Sequence, residues 1–74
     1  LPYNLDYLAT NKKHIAVCGK GREIKIYDYN LNLIKTIKSK TKPEGLAYSK
    51  DGKYLIAGTG ANPLNVNIYQ SNSY

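Results

Sequence analysis

The chain has 74 residues, a net charge of +6 from ten lysines and one arginine against five acids, and a single cysteine. A chain this short forms at most one small domain, near the size at which a single core is marginal. One cysteine and one histidine exclude both a disulfide framework and a zinc cluster, and the longest apolar runs fall far short of the roughly 18 residues that span a bilayer.

Strand signals run from end to end, and no window of ten or more residues carries a helical stripe. Ile15-Ala16-Val17-Cys18 is a short apolar run stopped by Gly19 and Gly21. Ile24, Ile26 and Asp28 then share one face of a strand, with Lys25 and Tyr27 on the other. Asn30-Leu31-Asn32 supplies residues that tolerate left-handed turn geometry before the strand Leu33-Ile34-Lys35-Thr36-Ile37. Ser39 to Pro43 reads as a loop. Leu46-Ala47-Tyr48-Ser49 follows as a strand, the Asp51-Gly52 pair marks a hairpin, and Tyr54 to Gly58 is the return strand. Gly60-Ala61-Asn62-Pro63 breaks the pattern, and Val66 to Tyr69 closes it.

The two halves repeat. A shift of 40 lays Asn11-Lys12-Lys13-His14-Ile15 on Asp51-Gly52-Lys53-Tyr54-Leu55 and Ala16-Val17 on Ile56-Ala57. A shift of 42 lays Ile26-Tyr27-Asp28 on Ile68-Tyr69-Gln70, because the second copy has two more residues at Asn62-Pro63. A period of 40 to 42 residues built from short antiparallel strands lies in the range of propeller blades.

On these residues the chain resembles WD40-type β-propeller repeats. HIAVCGKGREIKIYD, TKPEGLAYSKDGKYLIAG and the later VNIY carry the likeness, with Tyr27-Asp28 in the place of the family's Trp-Asp pair. Pro43-Glu44-Gly45 followed by Leu46-Ala47 also resembles YVTN-type propellers. The resemblance implies an all-β fold of antiparallel four-stranded blades, about two blades and seven strands of a larger propeller. Residues 1–40 would form one blade, with strands near 4–9, 14–19, 24–29 and 33–38. Residues 41–74 would form the next, with strands near 43–49, 53–58 and 65–70 and no outer strand. The chain begins at Leu1 and contains no methionine, which points to a piece of something longer.

No catalytic, cofactor-binding or metal-binding residue is expected. His14 and Cys18 share a strand face but lie about 13 Å apart, beyond hydrogen-bond reach. Gly19-Lys20-Gly21-Arg22 precedes a strand, so it reads as a hairpin turn and lacks the helix N-terminus that a phosphate loop requires. The five acids form no pair spaced for acid–base work; Asp51 belongs to a turn, and Asp28 ends a strand by accepting nearby amide hydrogens. Tyr27, Tyr48, Tyr54 and Tyr69 occupy positions that favour burial between blades. The lysines are dispersed through turns and alternate strand positions, where they keep short strands from pairing at their edges.

The resulting expectation is a non-catalytic protein-binding scaffold, part of a WD40-like propeller within a larger intracellular, cytoplasmic assembly. Its partners would be other protein subunits and the remainder of the propeller, in the same or another chain, with no membrane. A YVTN-like cell-surface repeat and a basic nucleic-acid or ribonucleoprotein-associated propeller are the alternatives. The loops Ser39 to Glu44 and Ala61 to Asn65 are the first places to seek contacts.

Overall fold

The computed structural model describes residues 5–59 and 65–74. They are all-β: seven strands in two antiparallel sheets, followed by one short 3-10 helix at Ser71–Ser73. The first sheet holds β1 (Leu5–Thr10), β2 (His14–Gly19), β3 (Glu23–Asp28) and β4 (Leu33–Lys38), in the order β1-β2-β3-β4. The second holds β5 (Gly45–Tyr48), β6 (Tyr54–Gly58) and β7 (Val66–Gln70), in the order β5-β6-β7. Within each sheet every strand pairs with its neighbour in sequence, and between the sheets β1 lies beside β5. Strand β5 is shorter than the strand expected near 43–49. Pro43 has no amide hydrogen to donate, and Ser49 already belongs to the next turn.

The turns follow from their residues. Gly21, at φ +97, provides the left-handed position between β2 and β3, as a two-glycine turn requires. After β3 the Asp28 carboxylate accepts hydrogen bonds from the backbone N–H of Asn30 and of Asn32, each at 2.9 Å. The Asn32 side chain adds a third at 3.2 Å, so Asp28 ends its strand by gathering amides. The left-handed residue of this turn is Leu31, at φ 66, and neither asparagine takes that conformation. Both asparagines are instead held by Asp28, which forces the strained backbone onto the leucine between them.

The turns after β1 and β5 repeat one another. Asn11 Oδ1 accepts from Lys13 N at 2.8 Å, and Asp51 Oδ1 accepts from Lys53 N at 3.0 Å, the same side-chain turn 40 residues apart. The Asp51-Gly52 pair sits at the end of a turn closed by Gly52 N donating to Ser49 O at 2.8 Å.

The core lies between the sheets. Register places Ala16 opposite Ile26, and Cys18 opposite Ile24, which faces Ile37 in turn. In the second sheet Tyr48, Leu55 and Tyr69 form one cross-strand row and Leu46, Ala57 and Asn67 the next. Ala16, Cys18, Ile24, Ile26, Ile37, Leu55 and Ala57 make one buried cluster, with Leu46, Tyr48, Tyr69 and Tyr74 packed against it. Ile24, Ile26 and Leu55 are fully enclosed.

The sheets meet through unlike faces. The Ala16/Ile26 face of the first packs on the Leu55/Ala57/Tyr69 face of the second. The repeat, however, equates Ala16 and Ile26 with Ile56 and Ile68, and these lie on the far side of the second sheet, with Ala47 beside them. The stacking is therefore head to tail, a relation that can repeat from unit to unit and closes into a ring where the rotation between units allows. It leaves Val66 55 % and Ile68 64 % exposed on a face whose described residues carry no charge.

The tyrosines divide accordingly. Tyr48 and Tyr69 pack against the shared core, whereas Tyr54, on the outer face, is 41 % exposed. Tyr27 is buried, but on the face of the first sheet turned away from the second, opposite Ile15 and Leu33.

Candidate functional site

A concave surface lies at the end of the sheets where β1 turns into β2 and β5 into β6. Here the turn residues Asn11–His14 and Ser49–Lys53, with Ile34, Tyr48 and the 71–74 segment, line an open cleft of about 730 Å³. That size lies within the ordinary range of ligand clefts.

Backbone hydrogen bonds from both sheets hold its walls. The Asn11 carboxamide donates to Gly52 O at 2.9 Å, joining the two turns across 41 residues, and Asn11 O accepts from the Tyr29 hydroxyl. His14 N donates to Asn11 Oδ1 at 2.6 Å. At the back, the Ser71 hydroxyl bonds Gly52 O at 2.7 Å and Lys53 O at 3.0 Å, while Ser71 N donates to Lys53 O at 2.8 Å. Gly52 is required twice over: its φ is +76, and a Cβ there would sit 3.2 Å from Asn11 Cβ.

Three rings form the floor. The Tyr48 and Tyr74 hydroxyls share a hydrogen bond of 3.1 Å, and the His14 ring stands edge-on to Tyr74 with centroids 5.0 Å apart. Burial, reinforced by the bond to Tyr74, raises the Tyr48 hydroxyl well above its ordinary value, and burial raises Tyr74 as well. Both phenols stay protonated. His14 Nδ1 is buried without a hydrogen-bond partner among the described residues.

The rim is basic. Lys12, Lys13, Lys50 and Lys53 line the cleft against one acid, Asp51. The Ser49 hydroxyl, at 2.7 Å, and then the Lys53 amide hold the Asp51 carboxyl below the ordinary carboxylate range. The arrangement gathers four positive charges around one concavity.

His14 and Cys18 lie at opposite ends of β2, in register with Asp28 and Ile24 respectively. The Cys18 thiol is buried over Pro43 O at 3.9 Å, and burial, then the Asp6 charge, pushes its pKa up. It is an inert core thiol. Among the described residues no three His, Cys, Asp or Glu side chains cluster as a metal site would need. No described helix is long and apolar enough to cross a membrane.

Of the two loops singled out from the sequence, Ser39 to Glu44 is fastened to both sheets. Ser39 N donates to Arg22 O at 2.7 Å, Glu44 N to Gly58 O at 2.8 Å, and Pro43 is fully buried. It is a pinned connection more than a presented surface, although Lys42 reaches Asp6 at 3.7 Å. The other loop lies outside the described residues up to Asn65, whose N–H faces Thr59 Oγ1 at 3.4 Å. The turn-end cleft has a partial sequence signal, in that Asn11–Lys13 and Asp51–Lys53 align in the repeat with lysines in both. Their meeting across the sheets has none.

The strand carboxylate and the turn carboxylate titrate alike. The Asn32 backbone N–H, first, lowers Asp28, as Ser49 lowers Asp51, from the ordinary value of 3.8. A carboxyl lowered in the folded state contributes stability that is present above its ordinary value and is lost as pH falls through the folded value. Acidification from about pH 5 to about pH 1 should therefore shift the amide protons of Asn30, Asn32 and Lys53 with midpoints below that ordinary value. Midpoints at or above it, followed by NMR, would show that these amides do not bind the carboxylates.

Compared with known proteins, the chain matches no protein-family model and no curated protein sequence.

Proposed function

We propose that the chain is a non-catalytic protein-binding scaffold whose two sheets are consecutive units of a WD40-like β-propeller in a larger intracellular assembly. One observation carries this reading: the head-to-tail packing of the sheets. A sheet that buries its Leu55/Ala57/Tyr69 face on one neighbour and leaves the Ile56/Ile68 face bare is built to accept another. The bare face is apolar, and among the described residues the β7 edge beside it lacks the partner strand that β4 gives to β3. Units of this kind need flanking neighbours to bury both faces. The remaining sheets would come from the same chain or another, and other protein subunits would bind the turns and edges of the finished disc.

Sedimentation of the 74-residue chain tests this. The expected result is concentration-dependent association or aggregation, relieved by Ile56→Lys with Ile68→Lys. A monomeric chain that melts cooperatively with its outer face bare would remove the basis of the reading.

A further inference from the structure

We propose that the turn-end cleft binds a phosphate group carried on a peptide segment of a partner protein. The inference needs the two turns to meet across the stacked sheets, but not that the sheets belong to a propeller.

The charge is localised. Lys12, Lys13, Lys50 and Lys53 line the cleft, and none makes an ion pair within 4.0 Å among the described residues. Asp51, the acid between them, already accepts from the Ser49 hydroxyl and the Lys53 amide. At the opposite end of the sheets the bases Lys20, Arg22, Lys40 and Lys42 are interleaved with Asp6, Glu23 and Glu44, and Lys42 pairs with Asp6. Asp28, at the same end as the cleft, is held by the Asn30 and Asn32 amides and does not line it, so within the concavity four lysines stand against one engaged acid. Walls of low polarisability around a charged concavity concentrate its field.

The backbone under these lysines is fixed. Asn11 bridges to Gly52, and Ser71 holds Gly52 and Lys53, so the four flexible stems rise from anchored positions on two sheets. Ammonium groups are compact point charges with donors in several directions, which suits a tetrahedral dianion. A planar carboxylate is better matched by the guanidinium fork, and no arginine lines the cleft. The cleft, at about 730 Å³, is far larger than a single phosphate, so the group it takes is attached to a larger body.

The rings at the floor decide which body. Single-stranded nucleic acid is held by bases stacked on open aromatic faces. Tyr48 and Tyr74 are half-buried, their hydroxyls are joined, and Tyr74 makes a T-shaped contact with His14, so neither offers an open stacking platform; the exposed Tyr29 beside them donates its hydroxyl to Asn11 O and does not line the cleft. A peptide needs only the basic rim for its phosphate and the floor for its neighbouring side chains.

The test is an NMR titration, on the chain carrying Ile56→Lys with Ile68→Lys to keep it dispersed, with a short capped alanine peptide bearing one central phosphoserine. The same peptide with serine, inorganic phosphate and a short oligothymidylate are titrated in parallel. The phosphopeptide should shift the amides of Lys12, Lys13, Lys50 and Gly52, and should bind about tenfold tighter than the serine peptide, a difference expected of a charge-assisted contact. Lys12→Gln with Lys50→Gln should weaken it about tenfold, whereas Lys20→Gln with Lys40→Gln, which removes equal charge at the other end, should change it less than about twofold. Equal losses in the two double variants would mean attraction by overall charge alone and overturn the site. Equal binding of the serine peptide would do the same. Inorganic phosphate binding as tightly as the phosphopeptide would refute the peptide, and tighter binding of the oligothymidylate would assign the cleft to nucleic acid instead.

Discussion

Leu55→Ala should unfold most of the chain. Leu55 is fully buried at the centre of β6, between Tyr48 and Tyr69 in its cross-strand row and within the cluster that includes Ile24 and Ile26. Both sheets pack on this side chain, so neither can close the gap by moving without disturbing its own hydrogen-bonded register. Truncations of this kind cost about 3–4 kcal/mol, the transfer of the lost methyls plus the cavity they leave. A single small domain has a total of only about 5 kcal/mol to lose. Urea unfolding should therefore show a midpoint near zero denaturant for Leu55→Ala. Leu33→Ala is the control: on the outer strand at 52 % exposure it should cost less than about 1 kcal/mol. A loss below about 1 kcal/mol for Leu55→Ala would mean that the sheets do not share this core.

The second large effect is expected from a polar residue. Asn11→Ala removes two acceptor contacts to the Lys13 and His14 amides and the donor contact to Gly52 O, the bond that joins the two turns. Each such bond contributes about 0.5–1.5 kcal/mol net, so the loss should be about 2 kcal/mol, large for a half-exposed turn residue. Asn11→Asp separates the parts. Its carboxylate keeps both amide contacts within the turn but cannot donate to Gly52 O, and it sets a negative charge beside that carbonyl. It should lose about 1 kcal/mol. Equal stabilities of Asn11→Asp and the native chain would show that the link between sheets contributes nothing.

How much of this was legible in the sequence depends on the range over which the cause acts. Six of the seven strands were, because short apolar and alternating runs act locally, whereas the first was expected only from the resemblance; the observed bounds follow the expected ones closely except at Pro43-Glu44 and Ser49. The turn roles of Gly21, Asp28 and Asp51 were legible for the same reason: each acts on amides within a few residues. Leu31 was not. Its left-handed backbone results from Asp28 holding the asparagines on either side, and residue preference alone points to the asparagines. The fate of the tyrosines also escaped, since alternation tells which positions share a face but not which face meets the other sheet. Tyr27 and Tyr69 are equivalent in the repeat, yet only Tyr69 lies between the sheets.

The cleft is a long-range product throughout. Asn11 reads as an ordinary turn residue, and its partner is 41 positions away. Tyr74 meets His14 and Tyr48 only because Ser71 ties the 3-10 helix back onto Lys53. The lysines, dispersed along the chain, look like a solvated surface until two hairpins bring four of them to one rim.

The head-to-tail relation of the sheets is the claim on which the rest depends, and methyl NOE spectroscopy of the chain tests it most directly. Cross-peaks should connect the Ile24 and Ile26 methyls of β3 with Leu55 of β6, while Val17 and Tyr27 show none to residues of β5, β6 or β7. Cross-peaks from Val17 or Tyr27 to Leu55, with none from Ile26, would mean that the first sheet presents its other face and would contradict the account.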